Sequence, residues 1–89
     1  MSYVNYKTIF NSVGGALSNP NESKICKIGK HKVFLTRLPK LNKYGNPVHS
    51  ATYIHKDGSL GPTYKSVGSA TLVVSGALRR VGIFTRYPK

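Results

Sequence analysis

Against ten lysines and four arginines the chain sets only two acids, Glu22 and Asp57, a net charge of +12 over 89 residues. Any fold this chain adopts must place its cations with almost nothing inside the protein to neutralise them. Self-repulsion of this size disfavours a compact state unless polyanions or counterions lie close by. Each Lys or Arg near a phosphate releases a condensed counterion, so the charge balance points to nucleic acid as the partner. The same scarcity of acids removes carboxylate dyads and two-metal sites from the chemistry to be expected.

Size adds a second constraint. One domain of this length buries about 60–65% of its unfolded surface, which leaves a lone monomer marginal. The apolar share of 39% lies under the usual range of about 45–50%. Docking onto a partner, or onto further copies in a homo-oligomer or larger assembly, would make up part of the difference. Cys26 stands alone, so no internal disulfide forms, and one Cys with three scattered His does not suggest zinc. No cofactor and no metal are expected. No segment approaches the roughly 18 consecutive apolar residues of a membrane span, so no membrane partner is expected. The opening Met-Ser-Tyr-Val-Asn-Tyr lacks a basic region followed by an apolar run. The expected location is the cytoplasm, or the inside of a virus or phage particle.

Residues 1–23 read as an N-terminal arm or short helix with a turn, and residues 24–89 as a basic β-rich domain. Tyr3, Tyr6, Ile9, Phe10, Val13 and Leu17 fit helical spacing, Gly14-Gly15 ends it, and 18–24 is turn-rich. Ile25, Cys26 and Ile28 form a strand that stops at a hairpin head, Gly29-Lys30. Val33–Leu38 is a β-branched and aromatic strand that Pro39 closes. Residues 39–47 make a loop with Lys40, Lys43 and Tyr44 at its tip. Val48–His55 alternates, and Asp57-Gly58 after it signals a tight turn. Tyr64–Val74 and Leu78–Tyr87 are read as two further strands separated by Gly76. The fold class expected is mainly β: a small antiparallel sheet or partly open barrel of four to five short strands, with a short N-terminal helix or flexible arm.

Basic–aromatic adjacency recurs at Tyr6-Lys7, Lys43-Tyr44, Tyr64-Lys65 and Arg86-Tyr87, and again where Tyr53 precedes His55-Lys56. Rings that stack on bases beside cations that track the backbone are how single strands are gripped. Tyrosine suits this because it tolerates a half-wet position, although strands favour tyrosine for their own reasons. Lys24, Lys27, Lys30, His31 and Lys32 form a second cluster, Lys24 and Lys27 flanking the first strand and the other three crowding the hairpin head, where like charges are costly without an anion. On the predicted last strand, Arg80, Phe84 and Arg86 share one side. Arg79 and Arg80, with Arg86, are the leading phosphate contacts, since guanidinium forks pair bidentately with phosphate. The candidate nucleic-acid-binding set is therefore Lys27, Lys30, Lys32, Lys43, Tyr44, Tyr53, Lys56, Tyr64, Lys65, Arg79, Arg80, Phe84 and Arg86.

Catalysis is not expected. His49 and His55 share a predicted strand face, but their spacing corresponds to about 20 Å of strand rise, too far to act on one phosphodiester. Cys26 between two isoleucines reads as a small apolar filler. In its composition the chain resembles small, acid-poor, basic proteins of virus and phage particles and some small ribosomal proteins, a resemblance that assigns no residue a role. The function expected is low-specificity binding of DNA or RNA, single-stranded, by phosphate neutralisation and aromatic stacking, in a strand-coating protein or a genome-contacting particle component. The rival is a self-assembling, capsid-type virion subunit whose charge accommodates a packaged genome. A metal-independent ribonuclease toxin is a remote third.

Overall fold

Hairpin turns dictate the body of the protein. The computed structural model describes residues 3–14, 17–66 and 70–86, with the side chains of Tyr3 and residues 84–86 outside the description. Four antiparallel strands follow one another as β2 (Ser23–Ile28), β3 (His31–Leu41), β4 (Pro47–Ile54) and β5 (Leu60–Ser66), side by side in that order. The sheet is open, with β2 and β5 as its outer strands. Gly29, at φ 61, and Lys30 join β2 to β3, so that Ile28 faces His31; glycine is what lets so short a connection turn. At the β4–β5 turn Gly58 has φ 89, and Asp57 Oδ1 accepts from the Ser59 N–H at 2.9 Å and from its hydroxyl at 2.6 Å. Asn42 closes the β3–β4 loop by accepting from the N–H groups of Tyr44 and Asn46.

β3 does not stop at Pro39, as expected from sequence. It runs on to Leu41, and its register with β4 shifts between Arg37 and Leu41. Proline, which has no N–H to give the ladder, is tolerated at such an irregularity.

The larger correction lies beyond β5. Ala70–Arg80 is a helix, α2, and not the continuation of one strand and the start of another. Buried Ala70, Val73, Val74, Ala77 and Leu78 recur at the spacing of a helix face. The β-branched residues and Gly76 lower helix propensity, but a packed apolar stripe outweighs a propensity of that size. The helix ends in a Schellman motif: Gly82, at φ 86, donates to the Arg79 carbonyl, and the Ile83 N–H donates to the Leu78 carbonyl. Only Phe84–Arg86 of the predicted last strand is extended, as β6, which pairs in parallel with β1 (Tyr3–Asn5). Residues 67–69 and Tyr87 of those two predicted strands lie outside the described residues.

The N-terminal helix α1 (Tyr6–Val13) forms, with Ile9 and Val13 buried, but it is shorter than the spacing predicts: Tyr3 stands in β1, Leu17 lies beyond the helix end, and Phe10 is exposed. Asn5 caps it by accepting from the Lys7 N–H at 2.8 Å, and Gly14 ends it in the left-handed conformation. Lys24 donates to the Val13 carbonyl at the helix C-terminus, where a cation complements the dipole. Both helices cover one face of the sheet. Ile9, Val13, Val73, Val74, Ala77 and Leu78 meet Cys26, Ile28, Val33, Leu35 and Ala51 in a single core.

Candidate nucleic-acid interface

Strand alternation sorts the sheet into two faces. The covered face takes Cys26, Ile28, Val33, Leu35, His49 and Ala51. The other face presents Ser23, Ile25 and Lys27 from β2, and Lys32, Phe34 and Thr36 from β3, in direct register. Ser50, Thr52 and Ile54 of β4 and Leu60, Thr63 and Lys65 of β5 complete it. Among the described residues nothing packs over this face, and it carries no acid. Phe34 lies at its centre, 38% exposed, between Ile25 and Thr52. The Thr52 and Thr63 hydroxyls hydrogen-bond each other beside it at 2.7 Å.

Both carboxylates are engaged elsewhere. Glu22 Oε1 accepts from the backbone N–H groups of Ser18 and Asn19 at 3.2 and 3.0 Å, tying the turn before β2. Asp57 serves its own turn, and the two Ser59 hydrogen bonds, the hydroxyl one foremost, hold its carboxyl below the usual range. Arg37 is likewise structural: its Nη1 donates to the carbonyls of Leu17 and Ser18 at 3.1 and 2.6 Å. Among the described residues, therefore, no carboxylate is paired with the cations of the open face.

The residues nominated from sequence fall into separate places. Lys27 and Lys32 stand directly opposite each other at one end of the open face, and Lys65 lies on the far outer strand in the row of Ser50, Thr36 and Ser23. Lys30, Tyr53 and Lys56 line a cleft of about 330 Å3 at one end of the sheet, together with Lys32, His31 and His55. Lys43 and Tyr44 sit on the β3–β4 loop, the ammonium 5.1 Å from the ring centroid. Arg79 and Arg80 belong to the last turn of α2, on the helical side of the sheet and away from the open face. Arg80 stacks over the Tyr64 ring at 5.1 Å, which places Tyr64 there too. Arg80 thus shares no strand with Phe84 and Arg86, which stand in β6 with side chains outside the description.

Phe34 was missing from the nominated set. Its signal was present in the alternation of β3, where buried Val33 and Leu35 force Lys32 and Phe34 onto one solvent-facing side.

The histidines also rearrange. His49 is buried, 2% exposed, on the covered face beside Arg37 of β3, while His55 falls past the end of β4 and lines the cleft. They are not two sites on one strand face. Neither ring nitrogen of His49 has a hydrogen-bond partner among the described residues. Burial, and then the nearby Arg37 charge, lower its pKa from 6.5. The folded protein thus binds fewer protons here than the unfolded chain does below pH 6.5. Stability is whole above that value and falls as pH drops towards the folded pKa, by up to about 1.4 kcal/mol per pH unit. His49→Gln should show a smaller drop in urea midpoint between pH 8 and pH 5.5 than the parent protein. Equal drops in both would mean that His49 does not carry this dependence.

Among the described residues no group of three His, Cys, Asp or Glu side chains is placed to hold a metal ion, and no helix is long and apolar enough to cross a membrane. Cys26 is buried in the core, where desolvation raises its thiol pKa and nearby Lys24 partly opposes that. Comparison with protein-family models, with curated proteins and with solved structures finds no match to this chain.

Proposed function

We propose that this protein binds single-stranded nucleic acid with little base specificity and without turnover, the strand lying across the open sheet face. The observation that carries this reading is the acid-free grid of that face: Phe34 at its centre, hydroxyls beside it, and Lys27, Lys32 and Lys65 around it. An exposed ring offers a stacking platform to any base, the lysines neutralise backbone phosphates, and the threonine and serine hydroxyls suit sugar and phosphate oxygens. Nothing on the face has the planar amide or guanidinium that reads base edges bidentately. Both jobs expected from the sequence, coating a strand and lining a particle that packages nucleic acid, would use such a surface.

One observation favours the self-assembling reading. Ile25, Leu60 and Phe34 are 55%, 71% and 38% exposed on the same face, and β2 and β5 leave sheet edges. Two copies meeting through this face would oppose their lysines with no acid between them, so assembly there calls for a polyanion as the intermediary.

Phe34→Ala is the direct test. The ring stands on the uncovered face and is no member of the core, so folding should survive, while loss of base stacking should weaken binding of a single-stranded oligonucleotide by about 1–3 kcal/mol. The slope of log affinity against log salt should stay unchanged, since no charge is removed. Undiminished affinity in the folded variant would remove the strand from this face.

A further inference from the structure

The cleft at the end of the sheet is a separate feature from the stacking face, and its chemistry is more concentrated. Two hairpin heads stand side by side there, Gly29-Lys30 between β2 and β3, and Asp57-Gly58 between β4 and β5. They bring Lys30, Lys32 and Lys56 around one opening, with His31, Tyr53 and His55 in its wall. The His31 Nδ1 and the Tyr53 hydroxyl hydrogen-bond at 2.8 Å, and the His55 ring stands edge-on to Tyr53 with centroids 5.1 Å apart. The wall is therefore held by its own contacts. Asp57, the acid nearest in the chain, is occupied by Ser59.

The size suits a ligand of a few groups, at the low end of the roughly 300–1,000 Å3 of small-molecule sites. The charge suits a phosphate monoester, about −1.5 to −2 near neutral pH, better than the single charge of an internal phosphodiester. Burial, then the Lys30 and Lys56 charges, lower the His31 pKa from 6.5, in keeping with two cations from different hairpins converging on one ring. Lys32 belongs to the open face by alternation and also lines the cleft, while Tyr53 packs against the core on the covered side, so a strand leaving the face would turn over the end of the sheet to enter the opening.

We propose that this cleft holds the phosphorylated end of a nucleic-acid strand whose body lies on the sheet face, with Lys30, Lys32 and Lys56 around the terminal phosphate. The inference rests on the strand-binding reading for the identity of its ligand. Three short oligonucleotides of one sequence, ending in a 5′-phosphate, a 3′-phosphate or hydroxyls at both ends, test it by fluorescence anisotropy. One of the phosphorylated strands should bind about tenfold more tightly than the hydroxyl-ended one, equivalent to about 1.4 kcal/mol, and which one does so gives the strand's polarity. Lys30→Gln with Lys56→Gln should abolish that preference.

A second arm separates the cleft from the strand. Adenosine 5′-monophosphate, and not adenosine, should shift the imidazole NMR signals of His31 and His55. Equal affinity for all three strands, with these signals unmoved by the nucleotide, overturns the cleft and leaves strand binding in place. Nucleotide-specific shifts without any strand binding support the phosphate site and overturn the strand reading instead.

Discussion

Replacing Lys27 and Lys32 together by Gln is expected to weaken nucleic-acid binding and strengthen the fold. The two ammonium groups stand on directly opposite residues of β2 and β3, on the open face and with no acid beside them. Like charges so placed in a sheet destabilise it by about 0.2–1 kcal/mol, which the double variant should recover as a higher urea midpoint. On a single strand each neutralised phosphate contributes about −0.7 to the slope of log affinity against log salt. Lys27, Lys32 and Lys65 together imply about −2, and the double variant about −0.7, a loss of roughly 50-fold in affinity at 50 mM salt. A slope near −3.5 in the parent protein would mean about five contacts, bringing in cations beyond the face. If the variant gains stability but keeps its slope, the strand lies elsewhere. Opposite signs in the two measurements are the mark of a surface arranged for an anion, because charges that serve only solubility have no reason to face each other.

Gly76→Ala should destabilise the protein by about 1–3 kcal/mol, the usual cost of forcing extra volume into a packed site. In an ordinary helix the same change stabilises by up to about 1 kcal/mol. Here a Cβ at position 76 would come within 2.6 Å of the Tyr64 ring and 3.0 Å of its Cγ. The ring is half-buried against the core and carries the Arg80 guanidinium on it, so the base of the side chain, and not only its tip, has to move. Urea unfolding of Gly76→Ala, Tyr64→Leu and the double variant measures the coupling. Much of the loss should vanish in the double variant, where the flat ring is gone. A Gly76→Ala protein as stable as the parent would show that Tyr64 does not lie against α2.

Much of the β architecture was legible because it depends on neighbours in the chain. Gly29-Lys30 and Asp57-Gly58 turn where the text between alternating runs said they would, and Gly14 ends the first helix for the same local reason. The second helix was written in the spacing of Ala70, Val73, Val74, Ala77 and Leu78, yet Thr71, Val73 and Val74 spoke locally for a strand and Gly76 for a break after it. Two periods competed over one short stretch, and the decision belonged to the sheet face that needed covering.

The candidate site divides along the same line. Composition and local turn signals alone were enough to put the cations outside, to show that two acids cannot neutralise them, and to give strands joined by tight turns as the framework. Which cations keep company was decided by the tertiary structure. Arg79 and Arg80 went to the helical side once residues 70–80 coiled, His49 went inward beside Arg37, and Phe34 came to the centre of an uncovered face. The cleft exists only because β3 and β4 pair, which sets the head of one hairpin beside the head of the next. Turn chemistry acts over a few residues and can be read in order. Proximity between distant segments depends on register and layer packing, and these are settled only when the apolar faces find each other.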